Sequence, residues 1–351
     1  MKTLLPILLF VLFATDTHAR PITDMAGRRV EVPDRIERVL GSVSPVTWMI
    51  YAIDPTLLAG LNSAPSEADL PFLRTELKSL PAVGSFGGVR EIGRETLLAL
   101  QPDVMVFWGW GQTAALDRLA EQLTGWGIPV VFVTLDRLEQ YPAALRFLGD
   151  LLNRRERAEQ LAAYGERALA KVRAATEGIP EGGRVRVYYA EDPDGLATEP
   201  QNSFHAELIP LAGGINVHRG DLRRHAGRQK LNMEQVLLYD PQVMLVQEPS
   251  FFQSVFVDGP WRQIEAVRRQ RVWLIPDRPL NWFDRPPSFM RFLGLRWLAH
   301  RLYPDRYPFD EEAETKGFYQ LFLGVEPSDE QIERILHPLP TKPNRPGHVD
   351  E

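Results

Sequence analysis

Glu95-Thr96-Leu97-Leu98-Ala99-Leu100-Gln101-Pro102-Asp103-Val104-Met105-Val106-Phe107 decides the fold, because the pattern returns as Glu234-Gln235-Val236-Leu237-Leu238-Tyr239-Asp240-Pro241-Gln242-Val243-Met244-Leu245-Val246. In both copies apolar residues recur at helical spacing, a proline ends the helix, and a β-branched apolar run follows as a buried strand. A glutamate heads each helix at the same offset. Short apolar patterns repeat by accident, so the two units are either chance lookalikes or the marks of two similar lobes. The rest of the chain has to decide.

At 351 residues the chain exceeds the usual reach of one hydrophobic core, so two domains are expected. Its 44% hydrophobic and 25% charged residues are those of an ordinary globular protein, and a net charge of −6 argues against a general nucleic-acid binder. Met1-Lys2 gives a short positive start, residues 4–13 are apolar without a break, and Thr17-His18-Ala19 places small residues where a signal peptidase cuts. That predicts a signal peptide over residues 1–19, its apolar run of ten being too short to span a bilayer. There is no cysteine, which excludes disulfides, thiolate metal sites, a cysteine nucleophile and a lipid-bearing cysteine. The expected location is the periplasm.

Onward from the leader, residues 22–32 read as a hairpin turning at Ala26-Gly27. Arg38-Val39-Leu40 leads a strand into Gly41-Ser42-Val43-Ser44-Pro45, and a helix follows through Trp48 and Tyr51. A strand that ends in small residues and opens a helix is where open α/β sheets place ligands. Short strands are expected at 57–61, 82–84 and 130–133, with helices between them, which is the α/β pattern. From 142 to 180 the reading is almost wholly helical. Its main part, 154–176, carries Leu161, Tyr164, Ala168 and Val172 on one face and reads as a stiff spacer. The second half alternates again: a strand at 184–190, a return at 196–198, a helix at 204–212 capped by Ser203, then the second glutamate-headed unit and a strand at 272–275. Helices at 288–302, 311–322 and 329–336 follow. The divisions expected are a leader at 1–19, a lobe at 20–141, a helical region at 142–180, a second lobe at 181–337 and a disordered tail at 338–351.

These residues together resemble a family, the periplasmic substrate-binding proteins of ABC importers for ferric siderophores, haem, corrinoids and related metal-containing ligands. The resemblance runs from about residue 22 to 304. It rests on Asp24-Met25-Ala26-Gly27-Arg28-Arg29-Val30-Glu31-Val32-Pro33, on Leu100-Gln101-Pro102-Asp103, on Leu211-Ala212-Gly213-Gly214-Ile215-Asn216-Val217, and on Met233-Glu234-Gln235 before Asp240-Pro241. Each motif is weak alone; the order and spacing are specific. The resemblance implies an α/β fold of two lobes, each with a central, mainly parallel sheet flanked by helices, joined by one long rigid α-helix. It also implies a ligand held between the lobes, no catalytic activity, no cofactor, and a monomer that delivers its cargo to a membrane permease. By motif position Glu95 and Glu234 are the surface acids that would meet arginines of the permease. A glutamate in a first helical turn is favoured by the dipole yet stays exposed, so the same two residues also suit plain helix capping. Gln242 stands where the family usually has an aspartate.

Trp48, Phe86, Trp108, Trp110 and Trp282 lie in or beside loops that should face the cleft, where a large planar or apolar ligand needs such surfaces. Ser44 opens the first helix. Asp284 and Arg285 sit beside Trp282 in a polar, proline-rich loop, and Arg90, His205 and Arg228 are further candidates toward an anionic or metal-bearing ligand. Tryptophan packs in cores as readily as it binds, and His205 also fits a structural place at a helix start. The basic run 218–230 reads either as a solvated loop or as positive charge at the cleft mouth that draws in an anionic chelate. His218 and His225 lack the spacing of a zinc site.

The leading expectation is capture of a ferric siderophore or other iron chelate; a metal oxoanion such as molybdate or tungstate, a corrinoid, haem or a nickel chelate fits the same scaffold. An exported hydrolase is the alternative of another kind. Against it, Gly41-Ser42-Val43-Ser44-Pro45 lacks the glycines of a nucleophile elbow and no H-E-x-x-H motif is present.

Overall fold

The structure is a computed structural model and describes residues 19–86, 92–109, 113–221, 227–257 and 259–337. The leader except for Ala19, the candidates Arg90 and Trp110, His225 and the tail at 338–351 lie outside the described residues.

The expected hairpin forms from β1 (Ala19–Thr23) and β2 (Arg29–Pro33), antiparallel with Ile22 opposite Val30. Its turn is held by the buried Asp24, whose carboxylate accepts the N–H groups of Ala26, Arg28 and Phe132 at 2.9–3.1 Å and pairs with the Arg28 guanidinium. The Phe132 bond ties the hairpin to the first sheet. That sheet has the order β3 (Val39–Gly41), β4 (Val104–Trp108), β5 (Val130–Val133), all parallel. Parallel bridges at Val39–Leu58 and Leu61–Ala82 extend it where the sequence predicts short strands. Helices α1 (Ser44–Ile53), α2 (Arg94–Leu100) and α3 (Ala114–Gly125) accompany it. Both faces of the strands are buried, as parallel strands between helices require.

Two helices then leave the first lobe, α4 (Tyr141–Leu151) and α5 (Arg155–Thr176). Of the predicted apolar face of α5, Leu161, Ala168 and Val172 are buried and Tyr164 is half-buried. The second lobe comprises β6 (Arg186–Ala190), β7 (Ala197–Thr198), α6 (Leu208–Leu211), β8 (Ile215–Asn216), β9 (Gln229–Lys230), α7 (Met233–Tyr239), β10 (Val243–Val246), α8 (Pro249–Ser254), α9 (Glu265–Arg268) and β11 (Val272–Leu274). Its sheet runs β11-β10-β6-β8, again parallel throughout. The return expected at 196–198 forms as the short strand β7, its Ala197 carbonyl accepting the Glu191 N–H at 3.0 Å. Both edges of β6 are taken by β10 and β8, so β7 pairs antiparallel with β9 instead, Ala197 opposite Lys230.

Helices α10 (Arg291–Leu302), α11 (Glu311–Phe318, continued by a π turn over Tyr319–Leu323) and α12 (Asp329–Leu336) complete the described chain. Gly165 lets α5 approach α10, since a Cβ there would lie 2.5 Å from the ring of Phe292. The segment after α10 then leans on the first lobe. The Tyr51 hydroxyl donates to the Leu323 carbonyl at 2.7 Å, and Tyr319 meets Phe72 edge-on at 6.2 Å. Arg278, before α10, pairs with Asp69 at 2.8 Å. The two lobes are therefore joined by α5 and braced by these later contacts.

Candidate functional site

Parallel strands deliver their carboxyl ends to one side of a sheet, and open α/β sheets hold ligands there. In the first lobe those ends are Gly41-Ser42 where β3 stops, Trp108-Gly109 where β4 stops and the loop to Asp136 after β5. Ser42 gathers two of them: its carbonyl accepts the Phe86 N–H at 2.9 Å and its hydroxyl the Trp108 N–H at 3.4 Å. In the second lobe they are Glu191 after β6 and Gln247-Glu248 after β10, with the Tyr189 hydroxyl bonded to Gln247 Oε1 at 2.9 Å.

A continuous line of contacts joins the lobes. The Trp108 indole donates to Asp136 at 2.8 Å and meets Phe204 edge-to-face, with ring centroids 5.8 Å apart and planes at 83°. Phe204 lies over the ring of His205 at 3.8 Å, and His205 Nδ1 is bonded to the Asp284 carboxylate. Arg285 follows Asp284 in a left-handed backbone conformation, φ 60°. Its Nε reaches Glu191 and its Nη2 reaches Glu199. Arg228 stands at the outer side, 3.0 Å from Asp192 and 3.7 Å from Glu191. Beneath this line the buried Arg291 pairs with Glu207 at 2.8 Å, and Glu207 accepts the Leu138 N–H from the other side at 2.7 Å.

Of the residues predicted from sequence, the structure thus brings together Trp108, His205, Arg228, Asp284 and Arg285. Phe86 is half-buried against Phe107 at 5.2 Å, near Trp108 through Ser42. Ser44 and Trp48 are half-buried in the first two turns of α1, Trp48 edge-on to Tyr51 at 5.4 Å. Trp282 is a correction: it is wholly buried in the main core and offers no surface to a cleft. Its backbone belongs to the polar loop while its ring turns inward. The basic run is also corrected in part, because Arg228 and Lys230 pair with Asp192 and Asp194 across the turn after β6, so their charge is consumed locally. His218 is buried between the Tyr239 hydroxyl at 3.0 Å and Gln229 at 2.8 Å. Glu95 and Glu234 are both exposed in the first turns of α2 and α7, while Leu97 and Val236 anchor those helices at equivalent positions.

Sequence reasoning passed over Glu191, Glu199, Asp136 and the ring of Phe204. A signal existed for Glu191, which directly follows a parallel strand. Burial pushes the Glu191 carboxyl up to about 7, against the pull of Arg285. Burial likewise raises Glu248 and lifts the Tyr189 phenol well above its ordinary range. Among the described residues no cluster of His, Asp and Glu is arranged to hold a metal ion directly.

The periplasmic binding protein signature matches residues 60–279. The chain belongs to that family. Among solved structures it is similar to an ABC transporter solute binding protein from Sulfurospirillum deleyianum, with 40% identity, a TM-score of 0.83, and coverage of 91% of this chain and 99% of that one. The molybdate-binding protein MolA of Haemophilus influenzae is 26% identical over 332 residues, spanning 86% of this chain and 90% of the relative. A vitamin B12-binding protein of Pectobacterium carotovorum is 28% identical over 210 residues, 60% of this chain and 71% of its own. As a family member the chain is a substrate-binding protein of ABC importers and not an enzyme, which disposes of the hydrolase alternative. Its fold is the two-lobed α/β architecture expected from the sequence. Among the described residues no helix is long and apolar enough to cross a membrane.

Proposed function

We propose that the protein, exported by the leader at 1–19, captures a metal-bearing chelate between its lobes, foremost a ferric siderophore, and as a monomer delivers it to a permease through Glu95 and Glu234. The observation that carries this reading is the Trp108–Phe204 pair spanning the lobes, linked through His205 and Asp284 to an arginine whose charge its glutamate neighbours offset. Aromatic faces suit the large apolar periphery of a chelate. A small oxoanion instead wants convergent donors of unspent positive charge, and Arg285, Arg228 and Arg291 all have carboxylate partners. Ser44, Trp48 and Phe86 extend the aromatic and polar lining on the first lobe.

A second reading, a molybdate or tungstate carrier, is favoured by the near full-length similarity to MolA. Calorimetry and thermal shift with ferric hydroxamate and catecholate complexes, haemin, cobalamin, a nickel chelate, molybdate and tungstate separate the two. Saturable stabilisation by a ferric complex supports the first reading through mass action. Tight binding of molybdate with no response to any ferric complex overturns it.

A further inference from the structure

We propose that Glu191 and Glu199 are the specificity-determining residues of the cleft: by clamping and neutralising Arg285 they admit a bulky neutral or cationic chelate and refuse compact dianions and highly anionic complexes. This rests on the chelate reading above and narrows its ligand class.

The clamp is built from both sides. Glu191 takes Arg285 Nε and Glu199 takes Nη2, while Asp284 stands 3.8 Å from Nε. The side chains of all three carboxylates are wholly buried, whereas that of Arg285 remains 26% exposed, so of the four side chains it is the one a ligand can reach. With two of its donors held, the group is fixed in one orientation and acts as a rigid donor whose charge is offset by its glutamate partners. It suits a carbonyl or hydroxamate oxygen better than a dense anion.

The balance of charge around it is negative. One oxygen of each carboxylate, Glu191 Oε2, Glu199 Oε2 and Asp284 Oδ1, is buried with no hydrogen-bond partner. The second cation, Arg228, is divided between Glu191 and Asp192. An approaching dianion therefore meets more buried negative charge than positive, in surroundings where water screens poorly. Burial raises the Glu191 carboxyl to about 7, against the pull of Arg285 and with Glu199 adding to the rise, which relieves only part of that excess near neutral pH.

The fold reserves space for this arrangement. At Gly227 a Cβ would lie 1.9 Å from Glu199 Oε2 and 2.8 Å from Ser203 Oγ, so a glycine there lets the backbone at 227 pass this close to the glutamate. The left-handed backbone of Arg285, unfavourable for a residue with a side chain, is likewise kept where the clamp uses it. Neither feature is needed by a solvated surface ion pair.

The test is calorimetric titration of the full mature protein with ferrioxamine B, a cationic ferric trihydroxamate, with ferric enterobactin, a trianionic tricatecholate, and with molybdate. Wild type is compared with E191Q, E199Q and the double variant, each checked for folding by circular dichroism. The expected result is wild-type preference for the cationic complex and a shift of at least about tenfold toward the anions in the double variant. Should the double variant fail to fold, the single variants carry the test with a shift in the same direction. Unchanged selectivity in folded variants overturns the inference and leaves the chelate reading standing. Wild type that ignores both ferric complexes and binds molybdate overturns the chelate reading itself.

Discussion

Gln101 and Asp240 adopt the same left-handed backbone conformation, φ 45° ψ 58° and φ 37° ψ 61°, each closing a glutamate-headed helix just before a proline. The repeat is thus conformational as well as textual. Such a conformation costs a residue with a Cβ roughly 1 kcal/mol, and glycine escapes that cost. Gln101→Gly should accordingly raise stability by up to about 1 kcal/mol in urea unfolding. Asp240→Gly should not, because Asp240 Oδ1 accepts the Glu265 N–H at 2.7 Å and that bond is lost. Equal gains at both positions would show that the aspartate bond contributes nothing.

The architecture was legible because its signals are local. Helical spacing, prolines and β-branched runs mark α2–β4, α5 and α7–β10 within a few residues of each element. The site was legible only in part. Arg285 stood out as a charge in a proline-rich loop, but its partners Glu191 and Glu199 lie 94 and 86 residues away, and no local pattern links them. Trp282 misled for the converse reason: polar neighbours in sequence say nothing of where a ring turns. The charge of 218–230 says nothing in sequence of the acidic turn at Asp192 and Asp194 that the β7–β9 pairing sets against it.

The Arg291–Glu207 pair should be a strong stability determinant. Replacing Glu207 with leucine leaves the Arg291 guanidinium buried with the Phe204 carbonyl at 2.8 Å but no carboxylate partner, and also removes the acceptor of the Leu138 N–H. The expected loss is roughly 3–5 kcal/mol. The double variant Glu207→Leu/Arg291→Leu should recover more than half of it. Urea unfolding of wild type and the two variants measures both quantities, and a double variant no better than the single one would place the cost in packing.

Closure on ligand should be small. Besides α5, the lobes are tied by Tyr51 to Leu323, by Arg278 to Asp69 and by Glu207 to Leu138. Hinge closure needs a few residues free to absorb a large backbone change, and these ties oppose it. X-ray scattering with and without ligand should give nearly the same radius of gyration. A large compaction on binding would mean that the ties break.

For Glu95 and Glu234 the prediction concerns transport. Both are exposed, and neither lies in the line of contacts from Trp108 to Arg285. Glu95→Arg/Glu234→Arg should abolish uptake by cells carrying the permease while ligand affinity of the purified variant stays within about twofold of wild type. Surviving uptake would leave the two glutamates as helix-capping residues only.

Glu191 should make stability depend on pH in a defined direction. Its carboxyl is raised by burial from the ordinary 4.5 to about 7 in the folded protein, with Arg285 opposing and Glu199 adding to the rise. Between those values the folded state holds a proton that the unfolded state has released. The associated stability is fully present below about pH 4.5 and is lost as pH rises through about 7. At about 1.4 kcal/mol per pH unit the whole effect is at most ~3.5 kcal/mol. Glu191→Gln, which keeps shape and carries no proton to lose, should remove this component. The difference in unfolding free energy between wild type and variant should therefore shift against wild type as pH rises from about 5 to about 8. A difference that stays flat across that range would mean that Arg285 keeps Glu191 ionised throughout.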